Sequence, residues 1–211
     1  MTSSERPLRA DAERNRQAIL GAAGSVFAEK GTQVTLEHIA EVAGVGVGTI
    51  YRRFPSIDDL VSVVLEEKMR RYADRTEQEA ERALTQPWPA FHDYVLFILE
   101  QQATDLAFSD VILSPRTGTE LFRQEIKRAL QASIVLIDRV KAAGELRTDF
   151  DHSDLYLLLH ANAGLVRGTH RSAPEAWKRF GQYMLKSFRH PGDEPLTAPS
   201  VVWMRAKNSG V

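Results

Sequence analysis

The chain has no cysteine, which removes disulfides, thiolate metal sites and thiol nucleophiles from consideration. It has no excess of charge of either sign: 27 Lys plus Arg stand against 28 Asp plus Glu, so any contact with a polyanion must be local. No apolar run reaches the roughly 18 residues of a membrane-spanning helix. The nearest, residues 155–166, is broken by His160 and Asn162, and no membrane partner is expected. The opening MTSSERPLRADAERNRQ carries no apolar export segment, so a cytoplasmic location is expected. The six histidines form no H-E-x-x-H or other metal spacing, and there is no G-x-S-x-G elbow. TDFDHSD, residues 148–154, has the acidic density of a calcium loop. It lacks glycine at the sixth position and has His160 where glutamate is needed, so it reads as a helix N-terminal cap. Catalysis, a metal and a cofactor are therefore not expected.

What is present is 43% hydrophobic residues over 211, enough to bury a sizeable core, and one glycine-rich stretch, AEVAGVGVGTIYRRF, residues 40–54. Its G-x-G-x-G spacing meets neither the dinucleotide fingerprint nor the phosphate loop, and no lysine follows. TLEHIAEVA before it puts Leu36, Ile39, Ala40 and Ala43 at helical spacing behind Thr35, a candidate N-cap. Gly44 then sits where a left-handed turn ends a helix, and Val45 and Ile50 resume the apolar pattern. The stretch reads as helix, turn, helix. The outward side of its second helix is Gly46, Val47, Thr49, Tyr51, Arg52 and Arg53: short side chains able to approach base edges, then donors able to reach phosphates. An ordinary helical hairpin, with glycines only for close packing, leaves the exposed valine and the aromatic beside two arginines unexplained.

These residues carry a family resemblance. TLEHIAEVAGVGVGTIYRRFPSIDDL, residues 35–60, resembles the N-terminal DNA-binding segment of the tetracycline-repressor (TetR-like) family, where a helix-turn-helix is followed by G-T-[LI]-Y, two residues, F-P-S and a long helix. RQAILGAAGSVFAEKG, residues 16–31, is similar to that family's first helix. The resemblance implies that Thr35 holds a phosphate, that Gly48 and Thr49 allow close approach to the groove, and that Tyr51 and Arg52 reach backbone or base edges. The chain departs from the family at Gly46, where serine is frequent, and at Val47 and Ile57, where lysine is frequent. Arg53 offers one replacement, with Arg6, Arg9, Arg14 and Arg16 in reserve. Val47 is suited to a thymine methyl.

Past Pro55 the pattern is helix after helix, so the fold class is all-α. A connector helix is expected over 56–84, stopped by TQPWPA, followed by helices over 91–104 and 121–143. A ligand pocket is placed among Tyr94, Ile98, Phe122, Ile126, Leu159, Asn162 and Arg167. In the helix within 151–170, Leu157, Ala161, Gly164 and Gly168 share a small-residue face, opposite Leu155, Leu159, Asn162 and Val166. Tyr156, His160 and Arg167 form a third stripe, facing either the pocket or an interface. The next helix, 174–189, offers Trp177, Phe180, Gly181, Met184 and Phe188. Two such helices from each chain would make a four-helix dimer interface, which assigns Leu157, Ala161, Gly164, Gly168, Trp177, Phe180, Met184 and Phe188 to it.

The expected organisation is a flexible arm (1–10), a helix-turn-helix domain (11–55), a helical ligand-binding and dimerisation domain (56–189) and a mobile tail (190–211). The expected function is a ligand-responsive repressor that binds a pseudo-palindromic duplex as a homodimer and is released by an unknown small molecule. The alternatives are an effector-independent DNA-binding or architectural protein and, more remotely, an all-α enzyme.

Overall fold

The computed structural model describes residues 5–113, 119–189 and 195–198, and these are helical with no strand among them. The helices are α1 (Glu5–Lys30), α2 (Leu36–Ala43), α3 (Val47–Arg53), α4 (Ile57–Arg82), α5 (Pro87–Thr104), α6 (Leu106–Leu113), α7 (Glu120–Ala142), α8 (His152–Thr169) and α9 (Ala176–Arg189). Helix α1 begins within the segment expected as an arm. TQPWPA both stops α4 and starts α5, because Pro87 at a first helical position loses no hydrogen bond. Helix α6 was not expected from the sequence.

Local signals fix the ends of these helices. Thr35 Oγ1 accepts from His38 N at 3.3 Å to open α2, and Ser56 Oγ accepts from Asp59 N at 3.1 Å to open α4. Asp151 and Asp154 form a reciprocal capping box at α8, as the reading of TDFDHSD required. Gly44 closes α2 in the left-handed region (φ 66°), with Gly44 N donating to Glu41 O and Val45 N to Ala40 O. This pair of reversed bonds satisfies the last carbonyls of the helix.

The chain divides into two compact units, Met1–Arg70 with Thr104–Ile126, and Arg71–Ala103 with Lys127–Val211. The division differs from the expected boundary at residue 55, since α4 contributes to both units and α6 belongs with the first. In the first unit Asp110 of α6 accepts from Thr32 N at 2.8 Å and from Thr32 Oγ1 at 3.2 Å, just past the end of α1. Lys68 of α4 pairs with Asp105 at 2.7 Å, and Asp105 also caps α6 by accepting from Phe108 N. The core here includes Ile19, Phe27, Ile39, Ile50, Leu60, Met69 and Phe108, each essentially inaccessible to solvent.

In the second unit, Phe91, Phe150 and Phe188 form an edge-to-face triad with centroids 5.0 to 6.5 Å apart. Gly181 lets α9 approach α5 closely, since a Cβ there would lie 2.8 Å from Leu99 Cδ1. Tyr72 and Tyr94 share a buried hydroxyl contact at 3.0 Å, and burial pushes the Tyr94 phenol up to about 12. Asn162 donates to Leu99 O at 3.3 Å and to Gln102 Oε1 at 3.0 Å, while its own Oδ1 is buried with no hydrogen-bond partner. Of the expected tail, Leu196 N donates to Asp149 Oδ2 at 2.8 Å, and Val201 to Met204 lie outside the described residues.

Gly31 has φ 76°, and a Cβ there would lie 2.5 Å from Asp110 Oδ2; Gly44 has φ 66° with nothing within 4 Å. Gly44→Ala is expected to lower stability by about 1 to 2 kcal/mol, for left-handed backbone alone. Gly31→Ala should lose more, because the Asp110 carboxylate must also move. Urea denaturation of the two variants beside wild type measures the order.

Candidate nucleic-acid interface

Helices α2 and α3 pack through Leu36, Ile39, Ala40 and Ile50, all buried, with Ala43 and Val45 half-buried beside them. Burying Ile50 sets the rotation of α3. Val47 (46% exposed), Gly48, Tyr51 (44% exposed), Arg52 and Arg53 consequently face solvent, with Thr49 half-buried. A Cβ added at Gly48 would meet nothing within 4 Å, and one at Gly46 would meet only Thr49 Oγ1 at 3.8 Å. Packing within the chain does not require these glycines. They leave open room for something outside it, which removes the motive for the plain hairpin reading.

Beside this face, α1 and α3 enclose a cleft of about 310 Å³ lined by Ala12, Asn15, Arg16, Ile19, Thr49, Arg52 and Arg53. Three guanidiniums and two neutral polar side chains around one opening make a donor-rich, cationic recess suited to a phosphodiester. Arg16 was held in reserve by the sequence reading and here joins Arg52 and Arg53, whereas Asn15 was missed. Its signal was available, since Asn15 precedes Ile19 by one helical turn and Ile19 belongs to the core. Arg14 pairs with Asp11, Arg16 itself lies 3.9 Å from Glu13, and the side chains of Arg6 and Arg9 lie outside the described residues. Ile57, where the family often has lysine, is half-buried at the start of α4.

The sequence reading also missed Glu37. The Tyr51 hydroxyl donates to Glu37 Oε1 at 2.5 Å, joining α3 to the first turn of α2. This bond, followed by Glu37's own backbone N–H, holds the Glu37 carboxyl below its ordinary range, and the same carboxylate raises the Tyr51 phenol above its own. Tyr51, expected to reach backbone or base edges, thus addresses a carboxylate in the free protein.

The remaining expected sites fare unevenly. Tyr94, Ile98, Leu159 and Asn162 are buried in the second unit, while Phe122 (buried) and Ile126 (half-buried) belong to the first. Arg167 is exposed, as is His160, because the buried stripe of α8 runs through Leu155, Leu158, Leu159, Asn162, Ala163 and Val166. Arg167 therefore lies off the buried stripe of α8. On the opposite side Leu157 (62% exposed), Ala161, Gly164 and Gly168 all face solvent. The α9 stripe needs correction: Trp177, Gly181, Leu185 and Phe188 point into the chain's own core, with Phe188 in the aromatic triad. Trp177 and Phe188 are thus not available to a second chain. Phe180 and Met184 are half-buried, and Tyr183, unnamed before, is 58% exposed. A cleft of about 510 Å³ in the second unit involves Arg75, Asp93, Phe97, Glu100 and Trp177. Among the described residues no cluster could hold a metal ion, and no helix is long and apolar enough to cross a membrane.

Residues 19–64 match the family model described as bacterial regulatory proteins, tetR family. An HTH-type transcriptional regulator of Staphylococcus aureus (strain USA300) is 38% identical over 60 residues, which is 28% of this chain and 32% of the relative. The chain thus spans about a third of the length of the curated relatives it matches. Among solved structures, the fatty acid degradation regulator FadR from Bacillus halodurans is 25% identical with a TM-score of 0.54, covering 82% of this chain and all of that one. FadR from Bacillus subtilis, solved in complex with stearoyl-CoA, shares the fold at 22% identity and a TM-score of 0.51, covering 83% of this chain and all of that one.

Removing the Glu37 charge is expected to bring the Tyr51 phenol down toward its ordinary value near 10. Site-resolved NMR titration of tyrosine in wild type and Glu37→Gln measures it. An unchanged Tyr51 titration would show that the contact is not populated in solution.

Proposed function

We propose that the chain is a member of the TetR-like family and a homodimeric transcriptional regulator, acting as a repressor, that binds duplex DNA through α3 and lets go when a small molecule binds. The observation that carries the DNA reading is the cationic cleft of Arg16, Arg52 and Arg53 beside a helix face of Gly46, Val47, Gly48, Thr49 and Tyr51. Guanidiniums position the protein on the phosphates, while the low face lets α3 sink toward base edges, with Val47 set for a thymine methyl.

A symmetric dimer places two copies of α3, and they enter successive major grooves when they lie about 34 to 36 Å apart. The outward face of α8, with Leu157, Ala161, Gly164 and Gly168, supports the pairing, since its small residues admit another helix closely and Leu157 is otherwise an exposed apolar side chain. Release by an effector follows if the molecule favours a dimer with the wrong spacing; a coupling of about 1 to 3 kcal/mol changes operator affinity roughly 5- to 150-fold. The orphaned Asn162 Oδ1 supports a ligand with an N–H or O–H to offer. A second reading, DNA binding without an effector, is favoured by the complete filling around Tyr94 and Ile98, both inaccessible to solvent.

Selection from random duplexes at about 100 to 150 mM salt, where phosphate contacts still respond steeply to salt, tests the DNA reading. Wild type should enrich an inverted repeat, and a Tyr51→Ala, Arg52→Ala double variant should not. Enrichment by neither would sink the proposal. The dimer face has its own check: Leu157→Arg is expected to shift the protein from dimer to monomer in sedimentation equilibrium, with unchanged helicity.

A further inference from the structure

Glu37 is an acidic residue on a surface that, on the reading above, meets a polyanion. Its location has a local reason, because a carboxylate in the first turn of α2 is favoured by the helix dipole. That reason does not account for its partner. Glu37 is exposed, yet the Tyr51 hydroxyl reaches it from α3 and donates to its Oε1 at 2.5 Å. A hydroxyl has one proton to donate. While it is given to Glu37, it is not available to a phosphate oxygen.

We infer that Glu37 is a positioning residue that competes with DNA phosphate for the Tyr51 hydroxyl, and so weakens binding to every duplex and raises the share of discrimination carried by base contacts. This inference rests on the DNA reading of the same face. A duplex approaching α3 has to take the Tyr51 proton from a carboxylate already holding it in a charge-assisted bond, and to bring phosphates toward that carboxylate's charge. A duplex whose bases also suit Val47 and the glycine face offsets both penalties; an arbitrary one does not. Glu37 therefore acts through Tyr51, without itself touching a base.

The test compares wild type, Glu37→Gln, Glu37→Ala, Tyr51→Phe and the Glu37→Ala, Tyr51→Phe double variant on two probes. One is the duplex enriched by wild type, and the other a roughly 30-bp duplex, about three helical turns, with no inverted repeat. Glu37→Ala is expected to tighten binding to the second probe about 3- to 10-fold, the worth of one freed hydrogen bond. Glu37→Gln, which keeps an acceptor but no charge, should fall between it and wild type. Most of the gain should vanish in the double variant. A tightening is a result that mere structural damage would not give, and circular dichroism confirms that each variant is folded. Glu37→Ala and Glu37→Gln binding no tighter than wild type would overturn the inference, as would a gain surviving undiminished in the double variant, which would leave charge repulsion alone. Wild type that binds neither probe would overturn the DNA reading, and this inference with it.

Discussion

The geometry of the candidate site depends on the turn that closes α2. Helix α3 has seven residues, too few to be stable in isolation, so its direction is borrowed from its neighbours. Ala40 supplies the contact and Gly44 the angle. Ala40 is wholly buried, and its carbonyl accepts from Val45 N at 3.0 Å, the bond that reverses the chain. Gly44 reaches the left-handed backbone this needs without a Cβ penalty. Once the turn is fixed and Ile50 buried, helical periodicity sends Tyr51 and Arg52 outward, about 100° and 160° from Ile50, with Val47 and Arg53 on the shoulders about 60° to either side of it. The long-range bond from Asp110 to Thr32 steadies the same module from the far side of α1.

The parts legible in the sequence were those encoded by short-range signals. Thr35, Gly44 and Ile50 lie within 16 positions of one another, and cap, turn and apolar spacing each have a local physical signature. Helix α6 had none. LAFSDVIL is apolar around nearly its whole circumference, so no periodic face announces it, and two of its anchors, Lys68 and Thr32, lie 37 and 78 positions away in the chain. The division into units differs from the expected boundary at residue 55 for a related reason, because a unit completed by a distant segment cannot be cut from a linear pattern. Glu37 was invisible because a lone acidic residue in a first turn is already explained by the helix dipole, and only the fold brings the Tyr51 hydroxyl to it.

Helix α9 shows a different limit. An amphipathic stripe states that a face is buried but not against what. Trp177, Gly181, Leu185 and Phe188 recur at the spacing of one face, and core and dimer interface ask for the same residue types. The edge-to-face triad of Phe188 with Phe91 and Phe150 assigns that stripe to the chain's own interior. On α8 the face of Ala161, Gly164 and Gly168 is exposed, and it has too little apolar area to drive burial by itself.

The weakness of the basic surface then becomes coherent with the proposed regulation. A chain near electrical neutrality gathers little DNA by long-range attraction, and the cleft concentrates its cationic contacts in Arg16, Arg52 and Arg53. Lysines at positions 47 and 57 would add phosphate contacts for any sequence alike, deepening non-specific and specific binding together. An effector, however, shifts an equilibrium only by its differential affinity for the two states, commonly a few kcal/mol at most. A repressor held by many indifferent phosphate contacts would stay on DNA whatever ligand it took up. One whose grip is modest, with a valine and open glycines against the bases and a carboxylate tempering its tyrosine hydroxyl, stands within reach of that coupling.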